Sequence, residues 1–253
     1  MDQSNPKNYL DPEKFYFQKI ESYFSESSGS FSEKAHAFPR FIPRQSLSYF
    51  LARSQIFSNI LNIHGSIMDF GIYRGSSFFT WLQLSSIMEP YNHIRKIIGF
   101  DSFQGFSEIG INDVGINDAE LKVKRKGGMA YPGRSEIQNA IDLMDLNRPI
   151  GHVTKGRLVE GELPKSCENY LHENPETIVA LANFGLGLYE PTLEILKLIK
   201  PRLVKGSVVV MEDLCQHTWP GETLAFFEIF GNSEYKLQRV PFCPHLSWIR
   251  IGD

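Results

Sequence analysis

The stretch Ile67-Met68-Asp69-Phe70-Gly71-Ile72-Tyr73-Arg74-Gly75-Ser76-Ser77-Phe78 holds the densest set of residues whose types and spacing could do chemistry. An apolar run ends in an acid, two glycines follow four apart, and a serine pair opens an apolar segment that reaches Met88. This order predicts a strand, a sharp turn and a helix start. Such a turn lets the backbone pass close to a bound group, and amides at a helix N-terminus can face an anion or a carboxylate. The third glycine of the dinucleotide fingerprint is absent, and a plain tight connection of an α/β domain is the alternative reading. A second acid, Asp101, follows the strand-like run Ile94 to Phe100 and leads into Ser102-Phe103-Gln104-Gly105-Phe106. An acid just past the second strand of such a sheet can accept both hydroxyls of an adenosine ribose. A loop-capping aspartate is the plainer reading of Asp101.

The elements that must position these residues follow from periodicity. Residues 1–43 read as a lead-in with a short helix near Pro12 to Phe24, and residues 44–253 as the main domain. From Pro43 to Asn62, Leu47, Phe50, Leu51, Phe57, Ile60 and Leu61 recur at helical spacing. Residues 107–135 are loop-like and glycine-rich. Their basic run Lys122-Val123-Lys124-Arg125-Lys126 is either a solvated edge or a contact for a phosphate-bearing substrate. Ser135 is expected to cap a helix carrying Ile137, Ala140, Ile141 and Met144. Strands are expected within His152 to Pro164, over Ile178 to Phe184 and over Ser207 to Met211, with Lys205-Gly206 turning the chain before the last of these. A helix from about Thr192 to Leu203 separates the latter two. A further helix after Trp219-Pro220-Gly221-Glu222 carries Leu224, Phe227 and Phe230, and strands Tyr235–Val240 and His245–Ile251 close the chain. Alternating strands and helices ending in a strand pair predict one three-layer α/β domain with a mostly parallel sheet and an antiparallel edge.

Composition narrows the function classes. With 253 residues and 42% hydrophobic content the chain can bury one substantial core. A formal charge of −3 gives no general basic surface, so no nucleic-acid partner is expected. Cys167, Cys215 and Cys243 lack CxxC spacing, which argues against a disulfide scaffold or a zinc site and points to a reducing cytoplasm. No apolar run approaches the roughly 20 residues of a membrane span, so no membrane partner is expected, and the polar start Met1-Asp2-Gln3-Ser4-Asn5 does not read as a signal peptide.

The motifs, taken in order, resemble those of the macrocin O-methyltransferase family. They are Asp69-Phe70-Gly71-Ile72-Tyr73-Arg74-Gly75, Phe100 to Phe106, Lys155-Gly156 before Glu162-Leu163-Pro164, Leu188-Tyr189-Glu190-Pro191-Thr192, Lys205-Gly206-Ser207 and Trp219-Pro220-Gly221-Glu222. The similarity is closest to members acting on calicheamicin-type sugars and runs from about Phe50 to the end. It implies a Rossmann-like class I methyltransferase fold with helices on both faces of the sheet, and S-adenosyl-L-methionine as methyl donor to a sugar or glycoside hydroxyl. It also implies a homo-oligomer. The methionine end of the cofactor would lie at Asp69, Gly71, Tyr73, Arg74, Gly75, Ser76 and Ser77, the ribose at Asp101, and adjacent contacts at Ser102 and Phe103.

The resemblance further implies a divalent ion, usually magnesium, held by acids at the ends of the fourth and fifth strands. Glu212 and Asp213 stand at the fifth, but the expected Asp-x-Asp of the fourth is Gly185-Leu186-Gly187. A weakened metal site, metal-free chemistry and a cofactor-binding homologue without catalysis therefore all remain open. If the chain transfers methyl groups, Asp213 and Glu212 are the first candidates for base or metal ligand, with His152 and His217 as further bases. Tyr131, Tyr189 and Trp219 are candidates to line the sugar pocket. A NAD-dependent oxidoreductase also suits an acid after the second strand, although the incomplete glycine fingerprint speaks against it.

Overall fold

The computed structural model describes residues 11–115, 123–231 and 233–252; Lys122 of the basic run and the first residues of the chain lie outside them. The chain divides into two compact units, 1–50 and 51–253. In the first, helix α1 (Asp11–Glu26) is followed by α2 (Phe31–His36), which starts at a reciprocal cap. Ser30 Oγ accepts from the Glu33 N–H, and Glu33 Oε2 accepts from the Ser30 N–H. Phe41 packs on Tyr23 and Phe24 at centroid distances of 5.7 and 5.2 Å, with Arg40 and Lys34 seated over these rings. Helix α3 (Arg44–Phe57) runs on from the first unit into the second.

The second unit is built on seven strands in the order β3-β2-β1-β4-β5-β7-β6. They are β1 (Ser66–Phe70), β2 (Ile97–Asp101), β3 (Gly156–Glu160), β4 (Val179–Phe184), β5 (Leu203–Met211), β6 (Gln238–Val240) and β7 (Cys243–Arg250). The first five run parallel, and β7 is antiparallel to both β5 and β6. Strand order reverses between β1 and β4, so the carboxyl ends of these two strands open the crevice where open α/β sheets bind ligands.

Helices cover both faces. Alternate residues of β1 point to opposite sides, so Met68 and Phe70 join a core with α6 (Lys165–Glu173), α7 (Tyr189–Ile199) and α8 (Gly221–Phe230). On the other side α4 (Ser76–Met88) and α5 (Arg134–Leu146) bring Phe78 and Ile141 against the glycines of β2 and β3, Gly99 and Gly156. Three fully buried rings cross the strands near their carboxyl ends: Phe70 stacks on Phe100 at 4.9 Å and meets Phe184 at 5.0 Å. Tyr170 of α6 closes the row edge-on to Phe100 at 5.5 Å.

Several expectations are corrected. Ser135 does not cap α5; the helix begins at Arg134, its N-cap position is Gly133, and Ser135 sits in the first turn. Helix α6 is an element that the sequence pattern did not yield. The turn at Lys205-Gly206 lies inside β5, where five residues of that strand span two of β4. Ser207 Oγ stabilises this bulge by donating to the Val179 carbonyl and accepting from the Val204 N–H. On α8 the buried face is Glu222, Ala225, Phe226 and Phe230, while Leu224 and Phe227 are exposed; on α3 and the turn beyond it Ala52, Arg53, Ile56, Phe57 and Ile60 are buried, while Leu51 and Leu61 are not.

Phe100 joins the β1–β2 pair to α6 through two ring contacts, so Phe100→Ala leaves a cavity beneath the crevice. It is expected to lower unfolding free energy by about 3–5 kcal/mol, measured by urea denaturation; a loss no larger than that of an exposed-position control would remove the ring row from its structural role.

Candidate functional site

The glycine turn after β1 forms as the sequence predicts. Gly71 and Gly75 adopt φ of +81° and +86°, and Tyr73 between them is also left-handed at +50°. A side chain at Gly71 would come within 2.7 Å of the Gly185 carbonyl, so the turn lies tight against the loop after β4. Gly75 is the N-cap residue of α4 and offers no capping side chain, so acceptors for the first amides of this helix must come from elsewhere. Asp101 sits beside the turn. Its Oδ2 accepts from the Tyr73 N–H at 2.8 Å and its Oδ1 from the Phe103 N–H at 2.7 Å. Burial pushes the Asp101 carboxyl above its ordinary range, and these two amides partly offset that. Asp101 thus fixes the loops after β1 and β2 relative to each other. Ser102 Oγ donates to the Gly105 carbonyl and Phe103 is buried.

Ser77 is buried, and Ser76 faces solvent on the first turn of α4. Arg74 lies over both Tyr73 and Tyr131, and the Tyr131 hydroxyl pairs with Glu136, which makes one exposed polar-aromatic wall beside the turn. Asp69, by contrast, is sealed at 0% exposure behind the turn. Its Oδ1 accepts from Asn183 Nδ2 at 2.7 Å, and the same nitrogen donates to Glu212 Oε1 at 2.9 Å. Arg53 Nη2 donates to that Glu212 oxygen at 2.8 Å. Burial, with the nearby Glu212 charge, pushes Asp69 up to about 7. At Glu212 burial also acts upward, but the Arg53 guanidinium and the Asn183 amide outweigh it and hold the carboxyl below the usual range. Arg53 and Asn183 were not singled out in the sequence; a charged residue on the apolar face of α3 and an amide inside the most apolar strand were the signals.

Glu222, which ends the motif Trp219-Pro220-Gly221-Glu222, is a third residue whose role the sequence did not show. It is fully buried. Its Oε1 accepts from the Leu186 and Gly187 amides at 2.8 and 2.9 Å, and its Oε2 from the Asp213 amide at 3.1 Å. Burial and then the Asp213 charge push its carboxyl upward. Asp113, within the 107–135 loop, does the same for α7: Oδ1 accepts from the Tyr189 amide at 2.6 Å. That loop is closed at its neck by backbone bonds between Phe106 and Gly127–Gly128. Trp219 is buried against Gly187, with Phe106 at 5.5 Å and Lys124 Nζ at 4.8 Å from its ring; Lys124 also donates to the Thr218 carbonyl.

The crevice therefore gathers Gly71–Ser77, Asp101–Phe103, Tyr131, Glu212, Asp213, His217 and Trp219. His152 is a correction: it precedes β3 and stands at the amino edge of the parallel strands, opposite the crevice. His217 is exposed in the loop after β5. The antiparallel run of β7 brings His245 to the same edge, where its Nδ1 meets Gln216 at 3.1 Å and burial lowers its basicity. The Tyr189 hydroxyl is taken by Glu228 of α8, which turns the ring toward that helix. The expected magnesium site does not fit these residues. Gly185 and Gly187 supply no ligand, Glu212 is engaged by Arg53 and Asn183, and among the described residues no three His, Cys, Asp or Glu side chains converge. Nor is any helix among them long and apolar enough to cross a membrane.

Solved structures resemble the chain closely. The calicheamicin methyltransferase CalS11 matches with a TM-score of 0.88 and 33% identity over 97% of this chain and 95% of its own. An apo structure of CalS11, a TDP-rhamnose 3'-O-methyltransferase of calicheamicin biosynthesis, matches at 0.82 and 31% over 97% of both chains. The O-methyltransferase NovP shares the fold, with a TM-score of 0.55 and 15% identity over 83% of this chain and 81% of its own. No protein-family model and no curated protein matches the sequence.

The position of Asp69 carries a pH signature. Its carboxyl titrates near 7 in the folded chain against 3.8 as the ordinary value, so the folded state keeps a proton that the unfolded state has lost between these limits. Stability from this group is complete below the lower value and lost as pH rises through the upper one. Between about pH 4 and pH 7 the wild type is expected to lose up to about 1.4 kcal/mol per unit from Asp69, with no further loss from this group above that range, and Asp69→Asn to lose less. Parallel urea-midpoint profiles for the two proteins would rule this out.

Proposed function

We propose, on the premise that the chain belongs to the family of calicheamicin-type sugar O-methyltransferases, that it moves the methyl group of S-adenosyl-L-methionine to a hydroxyl of a sugar. The observation that carries this reading, beyond the family, is the pairing of the glycine turn with Asp101. A tight turn, an α4 N-terminus without a capping side chain and the acid that ends β2 are tied together by the bond from the Tyr73 N–H to Asp101. The helix amides suit the carboxylate of the cofactor's amino-acid end. Asp101 uses one oxygen on each loop amide, and its remaining lone pairs suit the ribose hydroxyls. Ser102 and Phe103 follow it in the same loop. Arg74, Tyr73 and Tyr131 form the wall nearest the methionine end, and Asp69 acts from behind it through the shape of the turn.

The reaction is an in-line displacement at the sulfonium methyl: a C–O bond forms as the C–S bond breaks, and the hydroxyl proton leaves. Alignment is the larger task, and the proton needs an acceptor. Asp213 is our candidate, fixed by the bond from its amide to Glu222 at the end of β5; His217 in the same loop is the exposed alternative. Trp219 and Tyr131 are suited to flank a sugar ring. Because CalS11 acts on TDP-rhamnose, nucleotide-linked sugars belong beside simple glycosides in the acceptor panel, and Lys124 and Arg125 are positioned in the loop that would meet a phosphate. The three thiols, none in a disulfide, suit a reducing cytoplasm.

Calorimetry should find binding of S-adenosyl-L-methionine and S-adenosyl-L-homocysteine but not of NAD; the reverse result rejects the reading. Asp101→Ala is expected to weaken S-adenosyl-L-homocysteine binding about tenfold or more, as loss of charge-assisted hydrogen bonds to the ribose requires. An unchanged dissociation constant removes the ribose role. Asp213→Asn should lower turnover about 10²- to 10⁴-fold, the usual contribution of a positioned base, while cofactor affinity holds. Full turnover by this variant would pass the proton to His217.

A further inference from the structure

Of the groups that a divalent ion would use at the ends of β4 and β5, the inward oxygen of Glu212 is committed elsewhere. Glu212 Oε1 receives two donors, Arg53 Nη2 at 2.8 Å and Asn183 Nδ2 at 2.9 Å, and Asn183 carries the connection on to Asp69 at 2.7 Å. Arg53 is only 2% exposed, and a guanidinium keeps its charge at any working pH. A magnesium ion demands oxygen ligands at near-octahedral geometry, and an oxygen already holding two N–H donors beside a fixed positive charge is a poor one. Nothing at positions 185 and 187 compensates. The backbone there would nevertheless accept a side chain at 185: a Cβ on Gly185 would meet Glu212 Cδ at 3.6 Å and Oε2 at 3.8 Å, which is ordinary contact.

We propose that Arg53 is the built-in counter-charge of this site, occupying the electrostatic place of a divalent cation beside Glu212, so that the chain binds no such ion there and transfers methyl groups without one. The second clause rests on the methyltransferase reading; the first does not. Arg53 is thus a positioning residue. It fixes Glu212, and through Asn183 the ends of β4 and β1, instead of touching the reacting atoms. The two glycines and the arginine then form one arrangement, because a carboxylate at 185 facing Glu212 would leave a net negative charge that Arg53 alone does not cancel.

The test is a Mn2+ titration of the purified full chain, read by electron paramagnetic resonance, alongside methyl transfer with and without EDTA. Wild type is expected to show no saturable binding and no loss of turnover in EDTA. The double variant Arg53→Gln with Gly185→Asp should acquire saturable binding about tenfold or more tighter than Gly185→Asp alone, the scale on which supporting groups tune metal affinity. Saturable Mn2+ binding by wild type that Glu212→Gln abolishes, or turnover lost in EDTA and restored by Mg2+, overturns the proposal. Equal affinity in the single and double variants also overturns it, because Arg53 would then not govern the site's charge. Since Arg53→Gln breaks a buried pair, circular dichroism checks folding, and where the double variant does not fold the wild-type titration decides. Absence of methyl transfer to any acceptor would count against the proposed activity and leave the Mn2+ result intact as the measure of this inference.

Discussion

A buried charge must be paired, and in this protein one such pair organises the edge of the sheet where the ligand crevice opens. Arg53 of α3 holds Glu212 at the end of β5, Asn183 of β4 bridges Glu212 to Asp69, and Asp69 is the penultimate residue of β1. Every member is largely or wholly withdrawn from water, so any displacement would leave a charge or an amide without a partner, at a cost that exceeds an ordinary surface contact. Three strand ends are thereby locked in relative position, and the loops that leave them start from fixed points. Asn183 is well chosen for the middle place. Its amide nitrogen supplies two hydrogens to two carboxyl groups, whereas an aspartate there would supply none and add a further carboxyl to the row.

A second tier of carboxylates does for the loops what this chain does for the strands. Loop amides that point into a crevice need acceptors, since an unmatched buried N–H is costly. Glu222 takes three of them, from Leu186, Gly187 and Asp213, and so joins the loops after β4 and β5 to the start of α8. Asp101 takes those of Tyr73 and Phe103, and Asp113 takes that of Tyr189. Each of these acids is separated in sequence from at least one loop it binds. Glu222 and Asp113 preorganise the loops without needing to touch substrate, so an alanine at either would act on catalysis through loop geometry, whereas Asp101 also carries the proposed ribose contact.

The parts of this design that were legible in the sequence are those with local causes. The turn at Gly71 to Gly75 was readable because an apolar run, two spaced glycines and a serine pair together admit few conformations, and Asp101 because its place after β2 follows from strand order. Parallel β1, β2, β4 and β5 announced themselves as apolar runs. Helix α6, only nine residues long, gave too brief a pattern, and the bulge in β5 separated a glycine from the strand it belongs to. The partners of Glu212 and Glu222 could not be assigned: Arg53 and Glu212 are 159 positions apart, and an arginine on the apolar face of a helix signals a buried partner without naming it. His152 was misplaced for a related reason. Its chemistry is suitable, but only the direction of β3 tells which edge of the sheet it occupies.

The replacement of the expected fourth-strand acids by Gly185 and Gly187 can be weighed by charge alone. With no carboxylates at the end of β4, Glu212 remains in direct contact with Arg53. One guanidinium balances one carboxylate, and the neutral amide of Asn183 extends that balance to Asp69, whose burial already favours the protonated form. A divalent cation added to this set would leave it positive, and burial penalises net charge of either sign. The glycines also have a positive use: Gly187 lets the Trp219 ring lie directly against the backbone, and Gly185 leaves its carbonyl close to Gly71 of the cofactor turn. The tryptophan ring and the glycine turn thus meet the loop after β4 at its two glycines, with Arg53 as the charge partner of Glu212.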